Sequence, residues 1–458
     1  MSELGSIHAI IRVFDRVLGR LEVTPAPAKL ESLGLLVNQA MAGKSRLFHS
    51  HEHILELSRG ADPLQTLAAL FHDFVYVQVD QGLPRNVEAT LAGYCRPDGA
   101  AWRVLPVDRK KDLAAHVVLS VFDFKPGDAL SVHGGLNEFL SALVAARELS
   151  PLLKLGEITQ IVAFIEGTIP FRLADAQGRT ALERLATRLT ALDRELKLGL
   201  DVEETVRRTV WMANRDVGNF SDRDPGRFLD NTWKLLPESN AALAAGGYTV
   251  REYRTALQKM EGFLGRLRAD SVYHAFRGVP DARTLARLEA RTTRNLQVSV
   301  RYLQVKLFTI SLLEALAGAT GGDAPLALFT GGLVDSSGTR PRRIEDFLPQ
   351  ALPRGAKADV LVMRLLEEGR ATETSFDLRN SPIAAWLYRS LGDQGIANGL
   401  IPARRMFEGK ISAHELLAAQ DPGMVSSLAR SAARLVITRR RALEQLGRGF
   451  AAAERESA

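Results

Sequence analysis

Cysteine is nearly absent from this chain: one residue, Cys95, occurs in 458. A single cysteine cannot form an internal disulfide or a cysteine-built zinc site, so any metal ion must take its ligands from His, Asp and Glu. The N-terminal segment also lacks the basic start, apolar stretch and cleavage site of a secretory signal, and it is typical of a helix. These absences fit a reducing compartment, and we expect the protein to be cytoplasmic.

Long apolar runs and a strong charge of one sign are missing as well. The most apolar stretch, LFTISLLEALAGA at 307–319, is shorter than the roughly 20 residues of a membrane span and contains Glu314. The chain has 59 basic and 53 acidic residues, a net charge of +6, and its arginines are scattered along amphipathic segments. The sequence therefore predicts no membrane association and does not favour a nucleic-acid interface.

Strand-like alternation of β-branched residues is scarce, whereas Ala, Leu, Arg and Glu recur at helical spacing. This pattern predicts an all-α fold, and the length of the chain predicts two parts. We expect a helical domain over 1–240 and an additional C-terminal helical region over 241–458. Helices are predicted near 5–20, 28–42, 50–59, 63–77, 85–94, 109–122, 135–149, 157–166, 178–197, 201–214, 225–234, 250–269, 281–318, 358–368, 381–391, 411–419 and 423–453.

Two segments of the C-terminal region have distinct patterns. Apolar residues recur at spacings of three and four over 282–318, which predicts one long core helix. A stretch rich in Gly, Pro and Ser follows at about 318–357 and predicts a long loop, lid or linker. Packing across a site, formation of a homodimer and binding of another partner are all open roles for this region.

Four of the nine histidines fall in two neighbouring stretches, FHSHEHILEL at 48–57 and LAALFHDFVY at 67–76. On a helix, His49 and His53 would share one face because they are four residues apart, and His51 would point elsewhere. An apolar helix over 63–77 would present His72 and Asp73 beside its buried stripe. Imidazoles and a carboxylate grouped in this way suit Mn, Fe, Zn or a related divalent ion.

A buried histidine is more often a satisfied core residue than a ligand, and a His-Asp pair arises readily by chance. The compound pattern argues for a site nevertheless. It joins a histidine pair, an apolar helix ending in His-Asp and, soon after, the polar Asn-x-Glu of PRNVEATLAGY at 84–94.

These residues resemble the signature of the HD-domain superfamily of metal-dependent phosphohydrolases, and in particular its branch shared with class I cyclic nucleotide phosphodiesterases. The resemblance covers about residues 30–240 and implies an HD/phosphodiesterase-like helical bundle. It implies that His53, His72 and Asp73 are metal ligands. It also implies that His49 faces the substrate as a proton donor.

The superfamily closes its metal site with a distant aspartate. The segment TVWMANRDVGNFSDRDPGRFLDNTWKLLPE at 209–238 is similar to the phosphodiesterase pattern of an apolar helix, an acidic residue, an Asn-containing turn, a Trp and a Glu. The resemblance makes Asp216 the fourth ligand and assigns Asn219, Trp233 and Glu238 to the same pocket.

Several further residues are candidates for supporting roles. Glu88 would orient His49 or hold a second metal through water, and a solvated glutamate is the alternative. A binuclear site would draw on His116 or His133. Weaker alternatives for the closing ligand are Asp123, Asp128 and Glu138.

The resemblance implies a hydrolase of phosphate esters or phosphodiesters, with nucleotide-derived esters among the candidates, that uses water activated by a divalent ion (Mn, Fe, Zn, Mg, Ni or Co). Its partner would be a small phosphorylated molecule or a nucleotide. Two alternatives fit the same pattern. One is an HD-type diiron oxygenase, and the other is a degenerate HD protein that binds a ligand or partner without turnover.

Overall fold

Helices dominate the structure, as predicted. The computed structural model describes residues 3–83, 85–99, 101–132, 134–331, 342–350, 357–374 and 376–457. It adds one small antiparallel sheet, in which β1 (Cys95–Asp98) pairs with β2 (Ala101–Val104) and β2 pairs with β3 (Ala129–Leu130). Such short strands give no recognisable alternation, which is why the all-α prediction omits them.

The chain forms two compact units. Unit 1 contains Met1–Ser221 and Arg268–Thr293, and unit 2 contains Asp222–Leu267 and Arg294–Ala458. The division therefore differs from a single boundary near residue 240, because the segment Arg268–Thr293 belongs to unit 1. Within it, Phe276 packs into the unit 1 core, and the backbone N–H of His274 donates to Asn214 Oδ1 at 2.7 Å.

The elements of unit 1 follow one another along the chain, with the three strands inserted after α6 and α7. The helices are α1 (Glu3–Arg20), α2 (Pro27–Met41), α3 (His51–Leu57), α4 (Pro63–Phe71), α5 (Val77–Asp80), α6 (Arg85–Leu91), α7 (Leu113–Phe122), α8 (Leu136–Leu149), α9 (Leu155–Gly167), α10 (Ala181–Leu196) and α11 (Val202–Asp216).

The regular elements among the described residues of unit 2 are helices, and one of them begins in unit 1. The helices are α12 (Pro225–Ser239), α13 (Ala241–Ala244), α14 (Val250–Arg266), α15 (Ala282–Ala319, which begins in unit 1), α16 (Leu326–Thr330), α17 (Val360–Glu367), α18 (Pro382–Phe407), α19 (Ala413–Ala418), α20 (Pro422–Ala433) and α21 (Arg440–Ser457).

Helix α9 is the centre of unit 1. It is buried continuously from Ile161 to Gly167 and contacts α4, α7, α8, α10 and α11. Gly167 permits a close approach to α11, because a Cβ atom there would lie 2.2 Å from Thr209 Cγ2. Helix α9 thereby sets the positions of α4 and α11, whose C-terminal ends carry candidate ligands.

The long core helix predicted over 282–318 is confirmed as α15. By length and mean hydropathy this helix could also cross a membrane, but 83% of its most apolar 18-residue window is buried within the protein. Its C-terminal end is capped by Arg439, which donates to the carbonyl oxygens of Ala317 at 2.8 Å and Gly322 at 2.6 Å. The basic sequence TRRR at 438–441 thus serves, through Arg439, to satisfy helix carbonyls.

Several predicted helices end elsewhere than expected. The segment 423–453 forms α20 and α21, with a 3-10 turn at Ile437–Arg439 between them, and the helix predicted over 63–77 stops at Phe71. The helix predicted over 381–391 ends where expected, since the backbone at Gly392 is non-helical with a φ of 61°, which favours glycine. A second helical stretch, not predicted, then continues to Phe407, and the two together are α18. The loop predicted at about 318–357 includes 332–341 and 351–356, which lie outside the described residues.

The buried imidazole of His274 makes the stability of unit 1 sensitive to pH. Burial and the nearby positive charge of Arg172 lower the pKa of His274 to about 4. The pKa of a histidine in the unfolded chain is near 6.5, so the unfolded state takes up a proton before the folded state does. The free energy of unfolding is therefore highest above pH 6.5 and falls as the pH drops from about 6.5 to 4. Once the histidine is protonated in both states, the loss in the free energy of unfolding amounts to about 3 kcal/mol.

We expect His274→Phe to remove this dependence while keeping the ring packed. Thermal unfolding followed between pH 7.5 and 4.5 should show a smaller fall in the midpoint for this variant than for the wild type. His116→Phe is the matched control, since His116 lies at the surface beside Glu195. Equal pH dependence in His274→Phe and the wild type would rule out this role.

Candidate metal centre

Four predicted ligands come together in unit 1 from three different helices. His53 lies in α3, His72 caps the C-terminal end of α4, Asp73 follows it, and Asp216 is the last residue of α11. We call these four side chains the His-Asp cluster.

The nitrogen and oxygen atoms of the cluster face a common point. His53 Nε2 lies 3.0 Å from Asp216 Oδ1 and 3.3 Å from Asp73 Oδ2. His72 Nε2 lies 2.8 Å from Asp73 Oδ2, 3.4 Å from Asp216 Oδ1 and 3.3 Å from His53 Nε2. Ligand atoms about 2.1 Å from a metal are about 3.0 Å apart in octahedral and about 3.4 Å apart in tetrahedral geometry.

These separations and the donor types fit a divalent ion. His53, His72 and Asp73 form a group that could hold a metal, with all ligand atoms within 4.8 Å of one another, and Asp216 reaches both imidazoles. The His72 side chain is 1% exposed, whereas the other three are 15–17% exposed, so the cluster is reachable from one side.

His72 is oriented by a backbone contact outside the cluster. Its Nδ1 lies 2.9 Å from the carbonyl oxygen of Ala69, one turn earlier in α4. A proton on Nδ1 can be donated to that oxygen, which leaves Nε2 with its lone pair toward the cluster. Histidines that bind metals commonly use their second nitrogen in this way.

Two arginines of α11 align the helices that supply the ligands. Arg208 makes a two-pronged contact with Asp62, the residue that caps the N-terminal end of α4, at 2.8 and 2.7 Å. Arg215 donates to the carbonyl oxygen of Glu56 in α3 at 2.8 Å. Arg215 thereby connects α11 to α3 beside the cluster, and Arg208 connects α11 to the N-terminal end of α4, at the opposite end of α4 from His72.

Arg46 holds the turn that contains Asp73. Its buried guanidinium donates to the carbonyl oxygens of Asp73 at 2.6 Å and Phe74 at 3.2 Å, and it pairs with both oxygens of Asp80. Arg46 thus holds the chain just beyond the helix. Helix α4 itself does not continue because the next N–H groups donate elsewhere: Val75 N–H to Ser141 Oγ at 2.9 Å and Val77 N–H to Asn137 Oδ1 at 3.1 Å. Arg46 is not among the residues predicted from the sequence, although a lone arginine just before the histidine stretch was an available signal.

The charges of the cluster stabilise one another. Burial would lower the pKa of His53, but hydrogen bonds and charges from Asp216 and Asp73 outweigh it and raise the pKa to about 9. The pKa of His72 rises for the same reasons. Burial opposes ionisation of Asp216, yet its contacts with both imidazoles lower its pKa to about 2, and the pKa of Asp73 is also lowered. A bound dication would replace the protons on these imidazoles.

His49 lies beside the cluster rather than on its helix. Because α3 begins at His51, the prediction that His49 and His53 share a helical face is wrong. The chain before α3 nevertheless places the His49 ring 6.0 Å from that of His53 and 4.4 Å from that of Tyr76, measured between centroids. His51 points away, as predicted, with Nε2 3.1 Å from the carbonyl oxygen of Asn38.

Other predicted residues lie apart from the contacts that define the cluster. Glu88 is exposed in the first turn of α6, and His116 pairs with Glu195. Trp233 donates to Asp377 within unit 2. His133 lies outside the described residues, so its role in a second metal site stays a prediction.

Glu138 lies close enough to the cluster for its charge to interact with that of Asp73, and Arg172 lies near Glu138; neither role was predicted from the sequence. Burial raises the pKa of Glu138 to about 7, the charge of Asp73 adds to the increase, and Arg172 opposes it. Arg172 and Arg188 each donate to Glu166 at 2.6 Å, and their Nε atoms are buried with no hydrogen-bond partner among the described residues. Detecting this group from sequence would require knowing that α8, α9 and α10 converge.

Comparison with known proteins gave no match: neither a family model, nor a curated protein, nor a solved structure is similar to this chain. The candidate site therefore rests on its own geometry and chemistry.

We expect the cluster to bind a divalent metal, and we expect His72→Ala and Asp216→Ala to reduce the bound metal to less than about a tenth, since each removes a ligand at the centre. Elemental analysis after loading with Mn²⁺, Fe²⁺ or Zn²⁺ and gel filtration measures this. His116→Ala removes a histidine paired with Glu195 and should retain the wild-type amount. Wild-type metal content in Asp216→Ala would exclude Asp216 as a ligand.

Arg46→Lys should weaken metal binding about tenfold or more, because the turn carrying Asp73 loses contacts that orient it. Titration with Zn²⁺ against a competing chelator measures the affinity, and circular dichroism verifies that the variant folds. Arg103→Lys is the matched control, since Arg103 makes a similar contact with Asp98 at the exposed sheet. An affinity unchanged in Arg46→Lys would show that Arg46 does not position the ligand.

Proposed function

We propose that unit 1 is an HD-like, metal-dependent hydrolase of phosphate esters or phosphodiesters, with nucleotide-derived esters among its substrates. The observation that supports this most strongly is the convergence of His53, His72, Asp73 and Asp216 on one point. These residues occur in the order His, His-Asp, Asp along the chain, which is the order that the HD signature requires.

A divalent ion held by these four residues would supply a water molecule of lowered pKa and a positive charge for a phosphoryl oxygen. Other contacts within the protein would hold the ligands in position. The contact between His72 Nδ1 and Ala69 keeps the imidazole from rotating, and Arg46 keeps Asp73 in place. Pre-organised ligands of this kind avoid a cost of reorganisation during the reaction.

His49 is suited to protonate the leaving oxygen. Its ring is half-buried and lies next to those of His53 and Tyr76, and His49 is not itself one of the four proposed ligands. A positively charged His49 would interact favourably with Asp73, whose pKa is lowered in part by His49. Donation of a proton from such a group typically contributes about 10²- to 10⁴-fold to the rate.

The role of His49 can be tested with two esters that differ in leaving group. His49→Asn should reduce kcat for phenyl phosphate diesters about 100-fold, because phenolate needs a proton to leave. The same variant should lose much less activity on bis(4-nitrophenyl) phosphate, whose leaving group is stable as an anion. Metal content should be unchanged, and His51→Asn, which alters the histidine that points toward Asn38, is the control. Equal losses on both esters would contradict a proton-donor role.

The same preparations separate the proposed function from its alternatives. Hydrolysis that requires metal and disappears in His72→Ala supports the phosphohydrolase. Two irons per chain with consumption of oxygen would instead indicate the diiron oxygenase. A chain that binds no metal and hydrolyses no ester would be a degenerate HD protein.

A further inference from the structure

Unit 2 contains a buried ionic centre around Asp377. Asp377 Oδ2 accepts hydrogen bonds from Trp233 Nε1 at 2.8 Å, Tyr253 Oη at 2.8 Å and Lys306 Nζ at 2.9 Å. Arg370 Nη1 lies 3.4 Å from the same oxygen. Two cations thus share one carboxylate.

Both cations are withdrawn from water. Lys306 is 5% exposed and Arg370 is 2% exposed, and Arg370 Nε has no hydrogen-bond partner among the described residues. The nearby buried carboxylate of Asp230 is bound by the backbone N–H and hydroxyl of Thr372, and it makes no ion pair with either cation. Burying a positive charge without a matching negative one is unfavourable, so this centre is suited to an additional anion.

A cavity of about 170 Å³ adjoins the centre. Its polar lining includes Lys306, Asp377, Tyr253 and Arg343, whose guanidinium pairs with Glu345. Much of the remaining wall is apolar, with Ile310, Leu326 and Ile383 among its residues. An engineered apolar cavity of about 150 Å³ in another protein holds benzene. The volume here therefore suits a ring of that size with one small substituent.

We propose that this cavity binds a small organic carboxylate: an aromatic or other apolar body of about the size of benzene that carries one negative charge. The carboxylate contacts Lys306, and the body lies against the apolar wall. The ligand neutralises the positive charge that Lys306 and Arg370 have in excess of Asp377. All residues of the site belong to unit 2, so the binding goes beyond the proposed hydrolysis and is tested without the metal centre.

The competing occupant is a cation at the second oxygen of Asp377. Oδ1 accepts no hydrogen bond from the described residues, in contrast to Oδ2. A cation would, however, add a third positive charge beside Lys306 and Arg370. The balance of charge therefore favours the anion.

Calorimetric titration of the full chain with three ligands of the same ring distinguishes these cases. Benzoate should bind at least tenfold more tightly than neutral benzamide, and benzylammonium should bind least. Lys306→Met should reduce the affinity for benzoate about tenfold or more and change that for benzamide little, since hydrogen bonds to charged groups are the stronger ones. Equal affinities for benzoate and benzamide, tighter binding of benzylammonium, or no binding of benzoate would overturn the proposal.

A second pair of variants tests the same site even if Lys306→Met fails to fold. Ala327 is exposed in α16 and lines the cavity, so Ala327→Trp should block benzoate without altering the buried centre. Its neighbour Leu328 is 48% exposed and lies outside the cavity wall, and Leu328→Trp should bind benzoate as the wild type does. Wild-type affinity in Ala327→Trp would show that benzoate binds elsewhere.

Discussion

The close approach of Asp73 and Asp216 to the same two imidazoles is the arrangement that unit 1 must maintain. Two carboxylates in a poorly hydrated position repel each other unless positive charge lies between them. Here His53 and His72 provide it, and the packing of α9 against α4 and α11 prevents the acids from separating. Gly167 matters for this reason: it lets α9 and α11 approach closely enough to bring the end of α11 to the end of α4.

Much of the helical fold follows from the sequence, because the spacing of apolar residues reports directly which face of a helix is buried. The long helix α15 is the clearest example. The cluster is also accessible from the sequence, through a resemblance. The histidine pair and the His-Asp at the end of an apolar helix carry the resemblance to the HD signature, this resemblance nominates the four members, and the structure brings those members together. The HD-like assignment itself remains a proposal.

The structural features that could not be predicted from the sequence depend mostly on contacts between segments that are far apart in the chain. Helix α4 ends where the N–H groups of Val75 and Val77 donate to Ser141 and Asn137 of α8, and Arg46 holds the turn beyond it. No local pattern reveals these contacts. Glu138 becomes relevant only once α8 lies beside the turn after α4. The short strands carry too few residues to alternate visibly, and the first turn of α3 begins after His49 because Ser50 adopts an extended conformation.

The path of the chain through unit 1 bears on how this protein can be divided. Residues 222–267 are, in effect, inserted into unit 1, whose core is completed by Phe276. The Asn214 side chain also donates to the carbonyl oxygen of His274 and accepts from its backbone N–H. A shortened protein ending near residue 240 would leave an apolar hole and an unsatisfied amide in the fold that supports the cluster. A stable fragment that keeps the cluster therefore needs a joined design, in which a short linker replaces 222–267 and the chain continues to residue 293.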